Sequence, residues 1–225
     1  MHNPRFSDYI QPFCHPELPW LWIGTFALGG EGLGPSRYLD RLSVLSDALD
    51  HGVRCFDTAG FYSHGDADRL LAKAIGTRRS EVMISSKGGL FWSGKKVTRM
   101  GTAQALRGEL YETLDRLGTD YLDLFSLHWP DFNVPISDSI EALKLFQKEG
   151  LIRYYGIGNL NADVLSELEG IDGLPFQFQF NVIHQDHDLL KVASRLSLFN
   201  CVYSPLAQGL LGDGRSAKGR SFLGN

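Results

Sequence analysis

The sequence predicts an α/β protein of the parallel (β/α)8-type TIM-barrel class, with seven βα units readable and the eighth absent. Three observations carry that prediction. Apolar runs alternate with helix-period segments along almost the whole chain, as βαβ units of a parallel sheet do. The runs are continuously apolar rather than alternating, as expected of strands covered on both faces. Residues that handle charge or protons end several different runs, which is where barrels assemble their sites. No Gly-x-Gly-x-x-Gly follows the first run, as an open dinucleotide-binding sheet usually needs.

Residues 1–19 are rich in proline and polar residues and read as an irregular lead-in. Trp20 to Phe26 is the first strand, broken at Gly29-Gly30-Glu31-Gly32. Ser36 is placed to cap a helix in which Leu39, Leu42, Leu45, Ala48 and Leu49 recur at helical spacing, until Gly52 stops it. Strand Val53–Asp57 precedes a helix at Asp66–Ile75, ended by Gly76. Strand Val82–Lys87 leads into a long loop. Thr102 then opens a helix with Leu106, Leu110, Leu114 and Leu117 on one face, closed by Gly118.

Strand Tyr121–His128 precedes a helix near Ser137–Glu149, ended by Gly150. Strand Tyr154–Gly158 is followed by a short helix from Asn161 to Glu169. Strand Phe176–Asn181 is followed by a helix at Asp188–Phe199, and Cys201–Ser204 is the last strand. Residues 212–225 read as a loop-like tail. With no eighth unit, the edges of the first and last strands need a cover. A fragment of a longer gene product and closure by a second copy of the chain both remain open.

At 225 residues the chain is expected to form a single domain, 1–225, with ample material for a core. A net charge of -4 gives no electrostatic reason to expect nucleic acid or an anionic membrane as partner. No apolar run is long enough to span a bilayer, and the N-terminus lacks a signal-like apolar segment. Cys14, Cys55 and Cys201 are odd in number and irregular in spacing, and the last two fall in strands. They read as free thiols in a reducing cytoplasm. His184-Gln185-Asp186-His187 lacks a clear third ligand, so no metal site is expected.

The chemistry is expected where the runs end. Val53–Phe56 ends on Asp57, Val82–Ser86 on Lys87 and Tyr121–Leu127 on His128, while Tyr62 lies in the loop after Asp57. Reducing a carbonyl with hydride leaves a developing alkoxide, which a phenol can protonate. An ammonium beside the phenol lowers its pKa by stabilising the phenolate. Asp57 is suited to hold Lys87 charged, and His128 to hydrogen-bond and orient the substrate oxygen. Phe61, Phe91, Trp92 and Trp129 fall in loops at the same end and read as pocket walls.

The chain resembles the aldo-keto reductase superfamily. The residues that carry the resemblance are Asp57-Thr58-Ala59 with Tyr62, Ile84-Ser85-Ser86-Lys87, the run Leu114 to Leu124, and His128-Trp129. Further on come Gly150-Leu151-Ile152-Arg153, Gly156-Ile157-Gly158-Asn159, Gln177 with Asn181, and Tyr203 to Leu211. The resemblance covers residues 20 to 212. It implies a barrel whose catalytic tetrad is Asp57, Tyr62, Lys87 and His128. It implies NADPH as cofactor, with NADH as the alternative, and a small carbonyl or sugar substrate.

By the same resemblance Gly24, Thr25 and Phe26 would line the nicotinamide end of the cofactor site. Asn159 and Gln177 would bond the carboxamide, Tyr203 would stack on the ring, and Ser204, Leu206 and Gly209 would approach the pyrophosphate. Gly158 stands where the family usually has serine, which removes one hydroxyl contact. Arg215, Lys218 and Arg220 do not match the basic residues that hold the adenosine 2′-phosphate in the family. The competing expectation is a barrel without catalysis, serving as a binding or regulatory subunit.

Overall fold

The computed structural model describes residues 5–18, 20–29, 38–94 and 96–211, in two compact units, Met1–Gly158 and Asn159–Asn225. Ser36, Gly30–Gly34 and the tail 212–225 lie outside the described residues. In the first unit the lead-in is not irregular. It carries helix α1 (Phe6–Ile10) and a 3-10 turn at Gln11–Phe13. Phe6 and Ile10, one helical turn apart, are both buried, and Phe6 meets the Tyr154 ring edge-on at 5.2 Å. Burial of two side chains fixes this helix, because five residues are too few to show a period in the sequence.

Of the expected first strand Trp20–Phe26 only Ile23–Gly24 forms β1, while Phe26 opens a 3-10 turn, Phe26–Gly29. Then follow α2 (Tyr38–Asp50), β2 (Cys55–Asp57), α3 (Asp66–Ile75) and β3 (Met83–Gly88). The expected loop after Lys87 is an antiparallel hairpin, β4 (Leu90–Ser93) and β5 (Lys96–Arg99). Helix α4 (Ala103–Leu117), β6 (Leu122–Leu127), α5 (Ile136–Lys148) and β7 (Ile152–Gly158) complete the unit.

The five longer-range strands pair in parallel, in the order β1, β2, β3, β6, β7. Strands β2, β3 and β6 are buried at every residue, which accounts for their continuous apolar runs. Helix α4 packs on β3 and buries Leu106, Leu110, Leu114 and Leu117. Thr102 Oγ1 accepts from the Ala105 N–H at its start, and Gly118 ends it in the left-handed conformation at φ 64°. At the opposite end of the sheet from the loops, Asp123 ties the strands. It accepts from Arg79 at 2.9 Å, from the Ile84 N–H at 2.8 Å and from the Tyr9 hydroxyl.

The second unit holds α6 (Ala162–Ser166), β8 (Pro175–Gln179), α7 (His187–Arg195) and β9 (Phe199–Tyr203). Strands β8 and β9 pair in parallel, with Gln177 opposite Cys201 and Gln179 opposite Tyr203. Asn161 and Asp186 cap the two helices, accepting from Val164 and Leu189 N–H groups at 2.9 Å. Of the cysteines Cys55 is buried, and burial pushes its thiol up to about 12, so it stays protonated.

Candidate active site

Strand register brings the charged strand ends together. Gly24 pairs with Asp57, Asp57 with Ser85, and Lys87 with Ser126, two residues before His128. The His128 N–H donates to the Gly88 carbonyl at 2.8 Å, continuing the ladder past β6. The Lys87 ammonium is 2% exposed and donates to Asp57 Oδ2 at 2.7 Å and to the Thr58 carbonyl at 2.9 Å. Tyr62 follows on its loop. Its ring lies 5.1 Å from Lys87 Nζ and 5.9 Å, edge-on, from the His128 ring. All four members of the expected tetrad therefore share one site.

Their electrostatics differ from the simple expectation at one point. Burial raises the Tyr62 phenol above its ordinary value, and the Lys87 charge and hydrogen bond only partly pull it back. The expected lowering is thus reversed by desolvation, because a phenolate loses more on leaving water than the phenol does. Burial by itself would depress the Lys87 ammonium, but Asp57 and Tyr62 outweigh it and hold the amine protonated. Burial, reinforced by the Lys87 charge, pushes His128 well below the ordinary histidine value. The imidazole is therefore neutral, a group that can hydrogen-bond without carrying charge.

The Tyr62 loop is held in an unusual shape. Ser63, His64 and Gly65 all have positive φ, at 48°, 54° and 85°. Two of these are side-chain-bearing residues in a region that costs energy, so something outside the loop must hold them there. Arg116 from α4 does so. It packs where a Cβ on Gly60 would come within 2.4 Å of its Nη2, and one on Gly65 within 2.4 Å of its Cδ. Arg116 Nε donates to Asp68 Oδ2 at 2.9 Å, and Thr58 donates to Asp68 Oδ1 at 2.6 Å. Thr25 in turn donates to Thr58 Oγ1 at 2.9 Å.

This buried chain of Thr25, Thr58, Asp68 and Arg116 fixes both the Asp57–Thr58 strand end and the turn that presents Tyr62. Sequence reading did not find Asp68 or Arg116 as site residues. Asp68 reads only as a position in the helix Asp66–Ile75, and Arg116 only as part of the run Leu114 to Leu124 that carries the resemblance, 48 residues further along the chain.

The expected pocket walls are mostly gathered. Ala59, Phe61 and Leu90 form a buried cluster against which Tyr62, Trp92 and Trp129 pack. Phe61 and Trp92 stack at 4.6 Å, and Trp92 Nε1 donates to the Phe61 carbonyl at 3.0 Å. Phe26 stands edge-on to Tyr62 at 5.2 Å, with 37% of its surface exposed. Phe91 is the exception. It alternates with Leu90 and Trp92 along β4 and so faces the other side of the hairpin, outside this cluster. Gly24 and Thr25 lie where β1 ends beside Asp57.

Within the second unit three of the expected cofactor residues, Asn159, Gln177 and Tyr203, meet. The Asn159 N–H donates to the Gln177 carbonyl at 2.8 Å, and the Tyr203 hydroxyl donates to Asn159 Oδ1 at 2.8 Å. Asn159 lies in the left-handed region at φ 57°. Asn181 Nδ2 donates to the Ser204 carbonyl at 3.1 Å, steadying a residue at φ 53°. Leu206 is 62% exposed, and Gly209 belongs to a 3-10 turn, Ala207–Gly209. Two amides and a flat phenol are suited to a nicotinamide, because each amide can both donate to and accept from a carboxamide.

A family model described as the Aldo/keto reductase family matches residues 21–222. The chain is 29% identical over 214 residues to the aldo-keto reductase YhdN of Bacillus subtilis, covering 93% of this chain and 64% of that protein. It is 30% identical over 214 residues to the NADH-specific methylglyoxal reductase of Escherichia coli, covering 86% of this chain and 65% of that protein. The chain thus spans just under two thirds of the length of these relatives. Among solved structures, it matches an aldo-keto reductase from Klebsiella pneumoniae in complex with NADPH. The TM-score is 0.72 at 28% identity, over 87% of this chain and 67% of that one. The fold class is the parallel (β/α)8-type barrel of these proteins.

Proposed function

The chain belongs to the Aldo/keto reductase family, and on that premise we propose that it carries the catalytic end of an NAD(P)H-dependent oxidoreductase acting on an aldehyde or ketone, or in reverse on an alcohol or sugar. The observation that carries the proposal is the buried Lys87 ammonium, 2.7 Å from Asp57 and 5.1 Å from the Tyr62 ring. When bound, a reduced nicotinamide supplies hydride to the carbonyl carbon. Tyr62 gives its hydroxyl proton to the carbonyl oxygen as negative charge develops there. The phenolate left behind is stabilised by Lys87, which Asp57 keeps protonated. Neutral His128 donates a hydrogen bond to the same oxygen and sets its orientation.

Thr25, Thr58, Asp68 and Arg116 touch no reacting atom in this scheme. They hold Tyr62 and Asp57 where the transfer can occur, and the raised Tyr62 pKa keeps the phenol protonated and ready to donate. For the cofactor, Gly24, Thr25 and Phe26 are candidates in the first unit. In the second unit they are Asn159, Gln177, Tyr203, Ser204, Leu206 and Gly209. NADPH is the first choice, as bound in the Klebsiella pneumoniae structure. NADH is the alternative, as the name of the Escherichia coli relative states. The partner is a small carbonyl compound or sugar.

The test is to mix the purified chain with NADPH, then NADH, and a panel of aldehydes and ketones, and to follow the loss of reduced-nicotinamide absorbance. Turnover of at least one aldehyde is the expected result. Absence of both turnover and nicotinamide binding would remove the proposal.

A further inference from the structure

The hairpin brings a cation to the wall of this site that the tetrad does not use. In the β4–β5 ladder Leu90 pairs with Arg99 and Trp92 with Val97, so these four side chains share one hairpin face. Leu90 is part of the buried cluster with Ala59 and Phe61, and Trp92 packs on it beside Tyr62 and Trp129. Arg99 therefore belongs to the hairpin face that meets this apolar cluster. Its guanidinium carbon lies 4.7 Å from the centre of the Trp129 ring and 5.2 Å from that of Phe132.

Two aromatic faces hold the guanidinium, and its N–H edge bonds to no described residue. Arg79, Arg107 and Arg116 behave differently, each gripping a carboxylate at 2.6 to 2.9 Å. Asp131 feels the Arg99 charge, yet its oxygens are taken by other donors. Oδ2 accepts from the Gly101 N–H at 3.0 Å, while Oδ1 accepts from the Asn133 N–H at 3.0 Å and Nδ2 at 3.2 Å. No carboxylate among the described residues forms an ion pair with Arg99.

We infer that Arg99 is a specificity-determining residue, and that the preferred substrate is an aldehyde or ketone that also carries a carboxylate, bound through the guanidinium edge. This rests on the carbonyl-reductase reading above and deepens it. Ring stacking leaves the planar fork of N–H groups available to a carboxylate, which can accept two parallel bonds from it. Trp129, whose ring meets the guanidinium, also packs against the Ala59, Phe61 and Leu90 cluster that Tyr62 packs on. An aromatic or short aliphatic carbonyl acid could then place its reacting carbon toward Tyr62 and its carboxylate toward Arg99.

The experiment compares kcat/KM for para-carboxybenzaldehyde and para-nitrobenzaldehyde with NADPH, in the wild type, Arg99→Gln and Arg99→Lys. The two aldehydes are alike in size and differ in charge, and their difference in electron withdrawal is common to all three proteins and so cancels when the ratios are compared. The expected result is that the charged-to-neutral ratio falls about tenfold in Arg99→Gln, mainly through KM, and is partly restored in Arg99→Lys. An unchanged ratio overturns the inference. A second arm needs no catalysis: quenching of tryptophan fluorescence by benzoate against benzamide. If neither aldehyde turns over, the benzoate arm decides by itself, while the reductase reading is judged by the wider panel and nicotinamide binding. Benzoate binding that is lost in Arg99→Gln supports the inference, and benzoate that binds the wild type no better than benzamide overturns it.

Discussion

Glu109 offers a thermodynamic test of how the frame beneath Lys87 is built. This α4 side chain is 5% exposed, and its Oε2 accepts from the Gly89 N–H at 2.7 Å, just beyond the strand that carries Lys87. Burial pushes its carboxyl from 4.5 up to about 8, against the opposing pull of the Gly89 bond and the Arg116 charge. The folded protein therefore keeps this proton between those two values, where the unfolded chain has released it. Stability must fall as pH rises through that window, because the folded state binds more protons there. With about 1.4 kcal/mol for each pH unit, the loss approaches about 5 kcal/mol at its limit.

Glu109→Gln keeps an oxygen for the Gly89 bond and removes the titration. Urea unfolding followed by circular dichroism, at about pH 5, 6.5 and 8, gives the wild-type and variant stabilities. The difference between variant and wild type should grow in the variant's favour with pH, by several kcal/mol across the series. A difference that stays constant with pH would show that the Gly89 bond outweighs burial, and the reasoning would be wrong.

Two further outcomes follow from the site. Lys87→Met leaves the Asp57 carboxylate buried without its ammonium, so stability should drop by about 3–5 kcal/mol and turnover should vanish. Thermal unfolding and activity together check this, and retained activity would contradict it. Because burial keeps His128 neutral far below its ordinary value, kcat/KM should show no histidine inflection between about pH 6 and 8. An inflection there that disappears in His128→Gln would overturn the assignment of a neutral imidazole.

The fold was legible wherever one residue type settles local structure. Helix Asp66–Ile75 has the bounds the sequence suggested, because Gly76 at φ 56° ends it and the apolar spacing fills it. Thr102 and Gly118 likewise mark both ends of α4. The β4–β5 hairpin escaped notice because its four-residue strands lie between Gly88-Gly89 and Gly101, which reads as loop. Helix α1 escaped because its two buried side chains find their partners far along the chain, as Phe6 does with Tyr154.

At the site, Asp57, Lys87 and His128 were legible because parallel register carries strand ends to one rim. The reversal of the Tyr62 pKa was not, since it depends on how completely the loop buries the phenol. Nor was the Asp68–Arg116 pair, a contact that no spacing in the sequence announces. Tyr62 reaches the rim only through three successive positive-φ residues, a conformation set by Arg116 packing against Gly60 and Gly65.

Tyr62→Phe removes one oxygen from the centre of the site and leaves the ring that packs with Phe26 and His128. Single-turnover measurements with NADPH and an aldehyde, alongside nicotinamide fluorescence titration, separate proton donation from cofactor binding. Loss of hydride transfer by about a hundredfold or more, with NADPH affinity preserved, is the outcome required if this phenol is the acid. Undiminished transfer in Tyr62→Phe would mean that the proton comes from elsewhere.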